Sequence, residues 1–186
     1  MPAVPINGIQ LYYEDTCPEA TLPAVVFLHG AAGNSMSWWR QVPVLSQTFR
    51  CICYDSRGFY RSADTTGEGA GKFIEDLEAL VDHLGLQKVA LVCQSMGGRA
   101  ALAFAVRHPE RTAALVLGNT WGSFDWPEQW ELAEQLGSVP LGSIQAGPIR
   151  GLSLGFQERE KELTYLFRQI NGLSTLPRPA LPSPPP

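Results

Sequence analysis

Ser95 is the residue of this 186-residue chain best placed to do chemistry. It lies in Cys93-Gln94-Ser95-Met96-Gly97-Gly98, where the apolar run Val89–Cys93 passes at once into an alanine-rich stretch ending at Arg107. A serine on a sharp turn between a buried strand and a helix is the nucleophile-elbow pattern, G-x-S-x-G. Such a turn lifts the hydroxyl to the helix N-terminus, above the carboxyl edge of the sheet, where it can attack a carbonyl carbon. Small flanking residues are needed because the strand and helix backbones approach closely there. Gly97 and Gly98 meet that need on one side, and Cys93 stands in the glycine position on the other. A Ser-Gly helix start without chemistry is the plainer alternative, and the strand–turn–helix context argues against it.

Acyl transfer also needs two backbone N–H groups aimed at the developing oxyanion. Met96, directly after the nucleophile, supplies one of them. The segment His29-Gly30-Ala31-Ala32-Gly33, at the end of an earlier apolar run, supplies the other, with Ala31 the expected donor. A His-Gly pair at a strand end says little alone; in this chain order with the elbow it says much more.

Bringing Ser95 and Ala31 to one edge requires a sheet, and the chain has the runs to build it. Residues 6–14 alternate in polarity and predict one half-buried strand. Ala24–Leu28, Arg50–Tyr54, Val89–Cys93 and Ala113–Leu117 are continuous apolar runs that predict strands buried on both faces. Between them, Phe73 to Leu84 carries helical spacing stopped by Gly85, and the stretch after Ser95 is closed by Pro109. Strands alternating with helices predict an α/β fold with a mostly parallel, doubly wound sheet. After Trp121 no buried strand run remains, only helical stretches such as Pro127–Leu136 and Glu158–Ile170. The chain thus divides into a core at 1–125, a helical segment at 126–175 and a proline-rich tail at 176–186, expected to be disordered.

Composition narrows the partners. Hydrophobic residues make up 45% and charged residues 17%, enough apolar content for a sizeable core. A net charge of −4 argues against non-specific binding to nucleic acid or to an anionic membrane. No apolar stretch reaches the roughly 20 residues that span a bilayer, and no secretory leader is visible at the start. The expected setting is the cytoplasm and the expected partner a small-molecule substrate; nothing sets the oligomeric state. Cys17, Cys51, Cys53 and Cys93 are scattered, without the spacing of a metal site, and are expected to be reduced thiols. Gly67-Glu-Gly-Ala-Gly71-Lys72 lacks the first glycine and the hydroxyl residue of a phosphate loop, and reads as a flexible linker. Trp121, Trp126 and Trp130 serve either as core of the helical segment or as the wall of a substrate pocket.

Taken together, the motifs resemble the α/β-hydrolase family, in particular its branch with a mobile helical cap, which includes enol-lactone hydrolases, carbon–carbon bond hydrolases and related esterases. The resemblance rests on His29-Gly30; on Trp38 or Trp39 with Pro43 and Leu45; on Asp55-Ser-Arg-Gly58 with Ser62; and on Gln94-Ser95-Met96-Gly97-Gly98. Ala114–Thr120 is similar to the strand that follows. It covers about residues 6–172 and implies a serine hydrolase for a small ester, lactone or related carbonyl substrate, with no metal or organic cofactor. It also implies structural roles for Asp55 and Arg57, and a loop-shaping role for His29. Tyr60 replaces the second glycine of the family's Asp-x-Arg-Gly-x-Gly-x-Ser, so a distorted turn is expected there.

In this fold the triad runs Ser, then Asp or Glu, then His. The chain has three histidines, and none follows a plausible acid. His108 falls at the far end of the helix after Ser95, and His83 precedes the nucleophile strand. Only His29 ends on the same edge. Asn119 is not a carboxylate, and Asp125 lies further along. The simplest expectation is a chain that stops inside the cap, without the last strands, the acid and the histidine. The alternative to an active hydrolase is therefore a truncated or degenerate, non-catalytic protein that binds a ligand or partner.

Overall fold

The computed structural model describes residues 2–19, 21–31, 33–120, 122 and 151–174. Among them six strands form one sheet in the order β1-β2-β4-β3-β5-β6: β1 Ala3–Ile6, β2 Ile9–Asp15, β3 Ala24–Leu28, β4 Arg50–Tyr54, β5 Val89–Gln94 and β6 Thr112–Gly118. β1, β2 and β4 pair antiparallel; β4, β3, β5 and β6 pair parallel. The mostly parallel α/β architecture expected from the runs is present.

The single strand expected over residues 6–14 is instead a hairpin. Asn7 and Gly8 have φ of +43° and +79°, and Ile6 pairs with Ile9. Two consecutive left-handed residues are what a two-residue type I′ turn requires, and Asn-Gly supplies them at low cost. The alternation continues across the turn, which is why period alone missed the break.

Both faces of the sheet are covered. On one, Val26, Leu28, Ile52 and Leu91 pack against Leu77, Leu80 and Val81 of α2 (Phe73–His83) and Ala101 and Phe104 of α3 (Gly97–Arg107). On the other, Val25, Phe27, Cys51 and Cys53 pack against Trp38, Val42 and Leu45, from a 3-10 turn at Ser35–Trp38 and the short helix α1 (Val42–Leu45). Gly85, at φ +64°, ends α2 as expected: its N–H donates to Asp82 O and that of Leu86 to Val81 O, the paired bonds of a Schellman cap. Residues 69–72 form a 3-10 turn leading into α2, and Asp64 accepts from the N–H groups of Gly67 and Gly69. This segment is thus ordered by hydrogen bonds rather than a free linker.

β6 departs from its expected burial. It is the edge strand among the described residues, with Val116 53% and Leu117 41% exposed. Beyond residue 150, the helix expected over 158–170 is broken into α4 (Leu154–Arg159) and α5 (Lys161–Gly172) at Glu160, whose φ of −111° and ψ of 62° are not helical. The stretch Pro127–Leu136, the residues Trp121, Trp126, Trp130 and Asp125, and the tail 176–186 lie outside the described residues. No described helix is long and apolar enough to cross a membrane.

Candidate active site

Ser95 sits between β5 and α3 with φ +49°. A non-glycine residue in this region costs of order 1–3 kcal/mol and persists only where its surroundings fix it. They do so here. The Ser95 N–H donates to Gly118 O at 3.0 Å, while its own carbonyl accepts from Gly98 N–H and from the Thr120 hydroxyl. The need for small residues is equally concrete. A Cβ on Gly97 would collide with the Leu28 carbonyl, and one on Gly98 with the Thr120 side chain. Cys93 is buried, with its Sγ 3.2 Å from Val116 O.

The segment after β3 meets the elbow from the other side. A Cβ on Gly30 would overlap the Gln94 carboxamide and lie 3.3 Å from the Ser95 Cβ, so the two motifs are in contact. Neither the Ala31 nor the Met96 N–H donates a backbone hydrogen bond to another described residue. Asn34 braces this loop. Its side chain accepts from Met36 N–H and donates to Ile170 O at 2.8 Å, while Ser174 Oγ donates to Gly33 O at 3.0 Å. The end of α5 is thereby tied to the loop that holds Ala31.

His29 is wholly buried and already committed. Its Nδ1–H donates to Gly30 O at 2.8 Å and its Nε2 accepts from Ser56 N–H at 3.0 Å, which fixes the tautomer. Burial pushes its pKa down to about 4, with the Gly30 bond opposing. With both ring nitrogens occupied, His29 shapes the loop. His83 packs edge-on to the Tyr13 ring, and His108 Nε2 is 3.0 Å from Glu78 Oε1. Among the described residues, none forms a hydrogen bond with Ser95 Oγ.

Asp55 and Arg57 hold the neighbouring turn. The Asp55 carboxylate accepts from Ser35 N–H at 2.6 Å and from Arg61 N–H at 3.3 Å, and burial pushes its pKa up against these bonds. Arg57 is fully buried, donates twice to Asp76 and also reaches Asp64, Thr66 and Asn7 O. Tyr60, where the family has glycine, carries backbone strain. Tyr60 takes the left-handed conformation itself, at φ +42°, and the turn closes through Gly58 N–H to Ser62 O at 2.7 Å. The Arg61 guanidinium lies 4.4 Å from the Tyr60 ring centroid and 4.1 Å from that of Tyr12.

Ser95 opens into a cavity of about 660 Å³, bounded by His29, Ala31, Trp38 and, from the far side, Gly151, Phe167 and Asn171. Three residues here escaped the sequence reading: Gln94, Asn119 at φ +47°, and Asn171. In the sequence, Asn119 marks only a missing acid, and Gln94 only the position before the nucleophile. No group of three or more His, Cys, Asp or Glu able to hold a metal occurs among the described residues, and the four cysteines are free.

Fold and site define the class. A sequence profile of the alpha/beta hydrolase fold matches residues 23–138. The chain belongs to the α/β-hydrolase fold family. It is 28% identical over 153 residues to 3-oxoadipate enol-lactonase 2 of Acinetobacter baylyi, an alignment covering 80% of this chain and 57% of that protein. The crystal structure of the enol-lactonase from Burkholderia xenovorans superposes with a TM-score of 0.73 at 26% identity, over 91% of this chain and 67% of that one. A hydrolase from Pseudomonas aeruginosa superposes with a TM-score of 0.70 at 25% identity, over 93% and 66%. The chain spans about half the length of the curated relatives it matches.

Proposed function

We propose that this chain is a serine hydrolase acting on a small ester, lactone or related carbonyl compound through an acyl-enzyme. The observation that carries the reading is Ser95: a left-handed residue at a strand–helix junction, lining one cavity with Ala31, while neither the Ala31 nor the Met96 N–H donates to a backbone carbonyl of another described residue. Ser95 Oγ bonds to the substrate carbonyl carbon while its proton passes to a base or to water. The resulting oxyanion sits between the N–H groups of Met96 and Ala31, which stabilise it because they are fixed before charge develops. Collapse breaks the bond to the leaving oxygen, which takes up a proton, and water then releases the acid. α4 and α5 act as part of a cap over the substrate, and the similarity to enol-lactonases supports a carbonyl substrate. Four free thiols accord with a cytoplasmic setting.

A second reading, a hydrolase-like protein that binds without turnover, is favoured by one observation: no described histidine or carboxylate hydrogen-bonds to Ser95 Oγ. Treating the purified chain with an alkyl fluorophosphonate and mapping the adduct by mass spectrometry tests the proposal. An adduct on Ser95, absent from Ser95→Ala, is expected. Modification spread over other serines, or none at all, overturns the assignment of Ser95 as nucleophile.

A further inference from the structure

Gln94, directly before Ser95 at the end of β5, and Asn119, directly after the neighbouring strand β6, line the same cavity as Ser95. Both are exposed, both line the cavity, and neither carboxamide forms a hydrogen bond with another described residue. Gln94 lies directly over Gly30, so its amide group is beside both the nucleophile and the oxyanion loop. Gln41 and Asn171 add two further carboxamides to the lining, and no Asp, Glu, Lys or Arg is among the described lining residues. A carboxamide donates and accepts at once. Four of them, with no charged group among the described lining residues, match a substrate that does the same and carries no net charge. A carboxylate brought here would shed water without meeting a cation among those residues, which is unfavourable.

We infer that Gln94 and Asn119 are specificity-determining residues that select an uncharged substrate bearing an amide-like or hydroxyl group close to its reacting carbonyl, over an anionic one. The inference rests on Ser95 being the nucleophile, and it deepens that reading by naming the substrate class.

The experiment uses three fluorophosphonates that share one reactive group and one tail length, with the tail ending in a carboxamide, a methyl or a carboxylate. Second-order rates of adduct formation at Ser95 are measured by mass spectrometry for the whole chain and for the variants Gln94→Leu and Asn119→Gly. Glycine is chosen at 119 because it keeps the left-handed backbone while removing the carboxamide. The carboxamide probe is expected to react about tenfold faster than the carboxylate probe, which corresponds to about 1.4 kcal/mol. Each variant is expected to lose most of that preference while still reacting with the methyl probe. A carboxylate probe that reacts as fast as the carboxamide probe overturns the inference and leaves Ser95 as the nucleophile. A preference that survives both variants overturns the assignment to these two side chains. Failure of all three probes at Ser95 overturns the hydrolase reading and this inference with it.

Discussion

On one side of Ser95 the loops after β3 and β4 bury His29, Asp55 and Arg57 in closed hydrogen-bond networks, whereas on the other β6 leaves Val116 53% and Leu117 41% exposed. The first side is over-determined: His29, Asp55 and Arg57 each have two or more hydrogen bonds, and Asn34 extends the bracing to the end of α5. A strained serine and a pair of aimed N–H groups need that rigidity. The second side offers only backbone support through Gly118 and the Thr120 hydroxyl. On the proposed reading, the described residues hold the nucleophile and oxyanion half of a hydrolase site, and none of them supplies the proton-transfer half.

If the contrast is right, the largest effect falls on the buried network. Arg57→Met leaves Asp76, 1% exposed, without its charge partner and is expected to cost about 3–5 kcal/mol of stability. Urea denaturation measures it; a loss below about 1 kcal/mol would show the network to be dispensable. Next comes a pH effect from His29. Its folded pKa of about 4 lies below the ordinary 6.5, so in the acid range the unfolded chain binds the proton more tightly. The neutral ring contributes fully above pH 6.5, and that contribution is lost as the pH falls from there toward about 4. The loss is of order 3 kcal/mol at about 1.36 kcal/mol per pKa unit. Imidazole resonances of His29 that stay neutral below pH 5.5, with unfolding free energy falling over the same range, are the expected pair of results; a ring that titrates near its ordinary pKa contradicts the burial. The smallest effect falls on β6. Val116→Lys is expected to change stability by less than about 0.5 kcal/mol and to reduce light scattering at high protein concentration, because a charge on an exposed edge opposes strand pairing. A loss of several kcal/mol would mean that β6 is covered after all.

Much of this was legible in the sequence, for particular reasons. The apolar runs at Ala24–Leu28 and Val89–Cys93 have no polar face, and strands of that kind belong in the middle of a parallel sheet, where they are found. Ser95 was legible because Gly97 and Gly98 are demanded where the strand and helix backbones approach closely, here by contacts with Leu28 and Thr120. The hairpin at Asn7-Gly8 was lost by reading period before turn chemistry. The exposure of β6 was invisible in its composition, since Thr-Ala-Ala-Leu-Val-Leu-Gly reads alike at a centre or an edge. At Tyr60 the glycine position of the family marks a left-handed conformation, and the tyrosine adopts it with an arginine stacked on its ring. Gln94 and Asn119 carried no motif signal; only the meeting of two strand ends shows them to share a cavity.

The pH dependence of adduct formation at Ser95 is the most direct test of a proposed nucleophile to which no described residue offers a base. With a simple alkyl fluorophosphonate, the rate is expected to be slow and to climb steadily with hydroxide from about pH 6 to about pH 9, without an inflection, because no imidazole polarises the hydroxyl. Hydrolysis of p-nitrophenyl acetate should be correspondingly slow, and Ser95→Ala should remove the part of it that passes through the acyl-enzyme. A fast rate with an inflection near pH 7 would contradict this and place a general base within reach of Ser95.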